Sequence, residues 1–217
     1  MPSNRPATPL TPFQLEVAAA FFSLASARGF LIAGGAALAA QGLTARPTQD
    51  LDFFTSRGRG DVRSARDDLI GAARGNGWIV ETLRDESTFC RLRISGPDEL
   101  LVDLAVDSPP GRRPMASIAG PTFAPAELAG QKMIALFGRA AARDFVDVHA
   151  LSRRFSKADL LALAAEVDQG FDRPVFIEMI GMLSRYSDRD LSLGDVDVPA
   201  LRAFFAAWAR EFGSPAS

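Results

Sequence analysis

Up to about residue 106, short apolar runs alternate with turns; from Pro125 onward, apolar residues recur at helical spacing. Thr11-Pro12 supplies an N-cap and a first-turn proline for a helix running to about Arg28. Leu15, Ala18, Ala19, Phe22 and Ser26 would form its packed stripe. Phe30 to Ala33 reads as a buried strand, and Gly34-Gly35 turns the chain into a helix over 36–42 that Gly42 can cap. After a connection over 44–48, Asp50 to Phe54 reads as a second strand. A charged helix over 61–74 stops at Gly75-Asn76-Gly77. Strands are predicted at 78–83, 88–94 and 100–106, with Gly96-Pro97-Asp98 as a turn. Residues 108–117, with three prolines and two arginines, read as a loop or linker. Helices are predicted at 125–138, 142–154, 156–168, 173–184 and 198–212, with Pro174 and Pro199 in first turns. The pattern predicts a mixed α and β domain over 1–120 and a helical domain over 121–217.

Composition narrows the chemistry. A chain of 217 residues, 47% hydrophobic and 23% charged, is an ordinary globular protein of one large or two small domains. A net charge of -2 excludes a globally basic nucleic-acid binder, though not a local basic surface. Cys90 is the only cysteine, so no intrachain disulfide or cysteine metal cluster forms. His149 is the only histidine and reads as a packed helix residue, which argues against Ser-His-Asp, Cys-His and His-rich metal chemistry. Carboxylates, lysine and arginine must carry any reaction. Of 24 basic residues only Lys132 and Lys157 are lysines, so a retained lysine hints that ammonium geometry matters. Val17 to Ala27 resembles a signal-peptide core, but Glu16 and the helical stripe favour a packed helix. The run is too short to span a membrane, and a cytoplasmic protein without membrane contacts is expected.

The most informative acids are Asp50 and Asp52. On a strand they point to one side, where two carboxylates repel unless a cation or solvent intervenes. Fifteen residues earlier, Gly34-Gly35 leads into a helix start whose bare N–H groups suit a phosphate. Alone, a glycine pair after a strand is more often a plain turn, and alternating acids often mark a solvent-facing strand edge. Together, with Leu51, Phe53 and Phe54 burying the strand, they describe a site for a nucleoside triphosphate and magnesium. Arg46, Thr48 and Ser56 flank that strand and could touch phosphate or an acceptor. Arg57, Arg59, Arg63, Arg66 and Arg74, with Arg112-Arg113, form local basic runs. They suit a polyanion, or an ordinary solvated helix, since Asp61, Asp67 and Asp68 are interspersed.

Gly-Gly followed by Asp-x-Asp on a strand resembles the DNA polymerase β-type nucleotidyltransferase superfamily. Glu127-Leu128-Ala129-Gly130-Gln131-Lys132-Met133-Ile134-Ala135-Leu136 resembles the lysine-bearing helix of AbiEii-type toxins, and Arg143-Asp144-Phe145-Val146-Asp147-Val148 resembles the helix that follows it there. The four motifs occur in family order over residues 30–152, and the composition is similar to that of the mycobacterial MenT toxins.

The resemblance implies an α+β fold: a polymerase β-like core of mixed sheet and helices, then a C-terminal helical domain, with the active site in the cleft between them. It implies that Asp50 and Asp52 hold Mg²⁺, or Mn²⁺, and that a third acid helps activate the nucleophile. Asp103 is the candidate for that acid and for a third metal ligand, ahead of Asp107, or is a solvent-facing strand acid. Lys132 reaches the triphosphate or snorkels to solvent. Asp144 and Asp147 lie near one helical face and either could orient Lys132 or a substrate hydroxyl; Asp147 is favoured, with Asp144 able to cap the helix instead. Gly34, Gly35, Ala36 and Thr48 would join Lys132 around the nucleotide. Gly35-Ala36 departs from the Gly-Ser common in the superfamily, leaving phosphate contacts to backbone N–H groups. The implied activity is that of a toxin transferring a nucleotide from CTP or UTP to the 3′ end of tRNA, blocking aminoacylation, with a cognate antitoxin. Arg57, Arg59, Arg63, Arg112 and Arg113 would meet the RNA. A small-molecule acceptor, as in antibiotic-modifying enzymes, or a protein hydroxyl is the alternative; a non-catalytic partner with a decayed fold is disfavoured by the intact acids and Lys132.

Overall fold

A computed structural model describes residues 9–213. They divide into two compact units: 9–42 with 47–124, and 43–46 with 125–213.

In chain order the first unit contains α1 (Pro12–Phe22), β1 (Leu31–Ala33), α2 (Gly34–Ala40), β2 (Asp50–Ser56), α3 (Val62–Gly75), β3 (Ile79–Asp85), β4 (Phe89–Ser95), β5 (Glu99–Asp107), β6 (Met115–Ser117) and β7 (Gly120–Thr122). The strands form one mixed sheet in the order β3-β4-β5-β2-β1-β7-β6. β2 runs parallel to β5 and antiparallel to β1, and β5 pairs antiparallel with β4. Side chains alternate between the sheet's two faces. Leu51 and Phe53, Cys90 and Leu92, and Val102 and Leu104 are fully buried on one face, each large apolar side chain contributing on the order of 1.5–3 kcal/mol. α3 packs on β3, β4 and β5 through this unit's core, and Phe21 of α1 stacks on Phe53 with ring centroids 4.1 Å apart. The opposite face carries Asp50, Asp52 and Phe54 on β2 beside Leu101, Asp103 and Ala105 on β5.

The structure moves several predicted boundaries. α1 stops at Phe22, not Arg28, and a 3-10 turn over Ala25–Ala27 replaces its last part. Its buried residues are Phe13, Gln14, Val17, Ala18 and Phe21, whereas Ala19 is exposed, so the packed stripe is shifted from the predicted one. The cause is the partner: the helix turns towards Phe53 and Phe30. α2 begins at Gly34 itself. Part of the proline-rich stretch, read as loop, forms the β6–β7 hairpin, with β7 beside β1 through Ile32 and Thr122. Three-residue strands containing Gly120 and Pro121 carry no alternating pattern; pairing with a neighbour holds them extended.

The second unit is helical: α4 (Pro125–Arg139), α5 (Ala142–Leu151), α6 (Lys157–Val167), α7 (Arg173–Gly181), the four-residue α8 (Asp188–Leu191) and α9 (Val198–Gly213). α4 lies against α6, and Gly130 makes that approach possible: a Cβ there would sit 2.5 Å from the Leu163 carbonyl oxygen. Phe145, Phe176, Phe204, Phe205 and Trp208 form its aromatic core. Segment 43–46 joins this unit although it lies between α2 and β2 in sequence.

Candidate active site

Gly34 opens α2 with φ +62°, a left-handed conformation that costs a residue with a side chain about 1–2 kcal/mol. A Cβ at this position would also collide with the Asp52 carboxylate. Glycine is therefore required twice, and the carboxylate lies against the start of α2. Asp50 is fixed from the other side: Thr48 Oγ1 donates to its Oδ1 at 2.6 Å. Thr48 is itself held by Gln14, whose Nε2 donates to the Thr48 carbonyl at 2.8 Å while its Oε1 accepts from Thr11 in the α1 capping box. A sequence signal for a helix cap thus reaches the acidic strand through two hydrogen bonds.

Asp103 is level with Asp52 across β2 and β5, and so shares its face. Its carboxylate accepts from Arg91 on β4, Nε to Oδ1 at 2.7 Å and Nη2 to Oδ2 at 2.6 Å. The Arg91 guanidinium has its pKa raised, first by the hydrogen bond to Asp103 and further by the charges of Asp103, Asp52 and Asp50. Two half-buried oxygen donors on one strand face suit a hard cation such as Mg²⁺. Among the described residues no three His, Cys, Asp or Glu side chains converge as a metal cluster, and Asp103 is turned to Arg91 instead.

The second unit holds the other candidates. Asp147 is fully buried on α5, with Lys132 Nζ of α4 at 2.9 Å from Oδ2. Arg46 grips the same carboxylate, Nε to Oδ1 and Nη2 to Oδ2, both at 3.0 Å. Burial pushes the Asp147 carboxyl upward, but the Lys132 charge and the bonds and charge of Arg46 outweigh it and hold the pKa below the ordinary aspartate value. Lys132 is buried, so it does not snorkel. Asp144, also fully buried, accepts both Arg139 donors at 2.8 Å and the Ala141 N–H at 3.2 Å, closing the N-terminus of α5.

Gly35, Ala36 and Thr48 are buried. Arg57 and Arg59 are exposed in the loop after β2 and line a cavity of about 550 Å³ with Ser56, Thr88, Asp107 and Ser108. That loop lies at the far end of β2 from Asp50, roughly 20 Å away along the strand. Arg63 is exposed on α3, and Arg112 and Arg113 are exposed between β5 and β6. His149 is half-buried against Phe204, with its pKa lowered by burial and by Arg153. Burial, with the Asp85 charge, pushes the Cys90 thiol up to about 11, which makes it a poor nucleophile. The partners that sequence reasoning missed are Arg91, Arg139 and the role of Arg46.

A model of the nucleotidyl transferase AbiEii toxin family, of type IV toxin–antitoxin systems, matches residues 19–214. The chain belongs to the AbiEii family. Its fold is similar to that of JHP933 from Helicobacter pylori at 16% identity, covering 93% of this chain and 92% of that one with a TM-score of 0.64. It is similar to MenT4, a nucleotidyltransferase toxin from Mycobacterium tuberculosis, at 19% identity over 93% and 88%, TM-score 0.53. The antibiotic-resistance factor ANT(2″)-Ia matches at 11% identity over 82% and 100%, TM-score 0.50. These likenesses show the nucleotidyltransferase fold. A search of curated proteins finds no match.

As an AbiEii protein, this chain is a nucleotidyltransferase and the toxin of a toxin–antitoxin pair, with a cognate antitoxin. The four segments singled out in the sequence lie at the start of α2, on the acidic face of β2, in the middle of α4 and in the first half of α5. Among the described residues no helix is long and apolar enough to cross a membrane.

Proposed function

We propose that this AbiEii toxin transfers a pyrimidine nucleotide from CTP or UTP to the 3′ end of tRNA in the cytoplasm, with Mg²⁺ as its ion (Mn²⁺ as a substitute). The reading is carried by Asp50 and Asp52 on one face of β2, with Gly34 cleared to admit the Asp52 carboxylate. The acceptor's 3′-hydroxyl oxygen bonds to the α-phosphorus, the bond to the β-phosphate oxygen breaks, and pyrophosphate leaves. Asp50 and Asp52 would hold the ion, which when bound neutralises charge on the phosphates. Asp103 is assigned to take the hydroxyl proton. Lys132, oriented by Asp147, is assigned to the triphosphate as a compact point charge. Gly34, Gly35 and Ala36 offer backbone N–H groups to phosphate. Asp144 is given the structural role of closing α5. The tRNA acceptor and the pyrimidine follow from the motif resemblance to the MenT toxins; the exposed Arg57, Arg59, Arg63, Arg112 and Arg113 suit a polyanion.

The test is incubation of the protein with total tRNA, Mg²⁺ and each labelled NTP in turn, beside an Asp50→Ala/Asp52→Ala control. Label should enter tRNA from CTP or UTP with wild type alone. Folded wild-type protein that labels no tRNA with any NTP would redirect the reading to a small-molecule or protein hydroxyl.

A further inference from the structure

Asp52, Asp103 and Arg91 stand level across three adjacent strands, β2, β5 and β4, and so share one face of the sheet. Arg91 covers both oxygens of Asp103 with a planar fork. Exposure differs sharply between the partners: the Asp103 side chain is 10% exposed and that of Arg91 45%. The acid is fixed in a central strand by a short stem. The arginine has a long stem and solvent on one side, so it is the partner that can leave. In the same conformation its guanidinium lies 5.7 Å from the Phe89 ring, which Arg84 also approaches at 5.1 Å.

The geometry points to Arg91 as a built-in competitor of the divalent cation: it holds Asp103 in the resting protein, and a cation seated at Asp50 and Asp52 gains Asp103 only by displacing the guanidinium. The inference rests on reading Asp50 and Asp52 as the cation pair. Arg91 is then a positioning residue acting through Asp103. It keeps the row of acids partly neutralised while no substrate is present, and it links capture of the cation to release of a guanidinium beside the reacting groups. With both Asp103 oxygens engaged and little of the carboxylate open to solvent, joint occupation by the fork and a cation is disfavoured sterically as well as electrostatically.

The test is a Mn²⁺ titration of the nucleotide-free full-length protein, with free ion followed by electron paramagnetic resonance. Arg91→Met should tighten Mn²⁺ binding roughly tenfold, the effect of losing one charge-assisted pair. Arg91→Met/Asp103→Asn should bind no more tightly than Asp103→Asn alone, because the gain runs through Asp103. Arg91→Lys, which keeps charge and stem but not the fork, should fall between wild type and Arg91→Met, and it carries the test if the methionine variant does not fold. Unchanged or weaker Mn²⁺ binding in the Arg91 variants overturns the inference, since an arginine that merely orients Asp103 for the ion would give weaker binding. Asp50→Asn/Asp52→Asn separates the two readings. Wild-type Mn²⁺ affinity there removes the cation pair and this inference with it; lost affinity there with indifferent Arg91 variants removes this inference alone.

Discussion

Asp52 and Asp147 are both aspartates held beside other charges, yet their surroundings are opposite. Asp52 lies half-buried on a sheet face, with Asp50 on its strand and Asp103 and Arg91 level with it on the neighbouring strands. Asp147 is fully buried in a helical unit with two cations on its oxygens. The first leaves the residue partly open to solvent, which on the proposed reading suits a group that takes up a cation. The second satisfies its charge internally and fixes the cations in place. On the proposed reading one residue type would serve binding in one unit and orientation in the other, and the difference lies in neighbours rather than in local sequence.

That contrast makes activity and stability respond differently in the two units. Asp52→Asn should cut nucleotide transfer by about 10³-fold or more, while costing far less urea stability than a fully buried acid, because Asp52 is half-buried. Asp147→Asn should lose activity too, but it leaves Lys132 and Arg46 buried without their acid and should cost about 3–5 kcal/mol in urea unfolding. Equal stability losses in the two variants would break the comparison. Gly34→Ala should sit between them, destabilising by about 1–2 kcal/mol from the left-handed backbone and displacing the Asp52 carboxylate, so that transfer falls while Mn²⁺ binding weakens.

The smallest effect is a pH dependence. Because the folded pKa of Asp147 is depressed, its stabilisation is fully present above the unfolded value and is lost as pH falls through the folded one. Circular dichroism of wild type should therefore show stability falling below about pH 4. The Asp147→Asn variant should show a shallower acid decline, and an identical slope in the two would count against the buried ion trio.

Much of this was legible in the chain. Asp50 and Asp52 share a face through strand alternation alone, and the Thr11-Pro12 cap located the start of α1. Arg91 was readable in principle: with Gly96-Pro97-Asp98 as the turn, the antiparallel register places Arg91 opposite Asp103. Arg46 was not, because it sits in a short connection whose attachment to the helical unit is a tertiary event without periodicity. The same limit hid the β6–β7 hairpin. The positions of Arg57 and Arg59 at the far end of β2 also follow only from the sheet. Strand direction separates them from Asp50 although they are few residues away.

The most direct measurement is growth after induced expression of wild type and of Asp50→Ala/Asp52→Ala at matched protein levels, without the antitoxin. The account predicts arrest with wild type and normal growth with the double variant. Arrest by both would contradict it, since toxicity would then not run through the acidic strand.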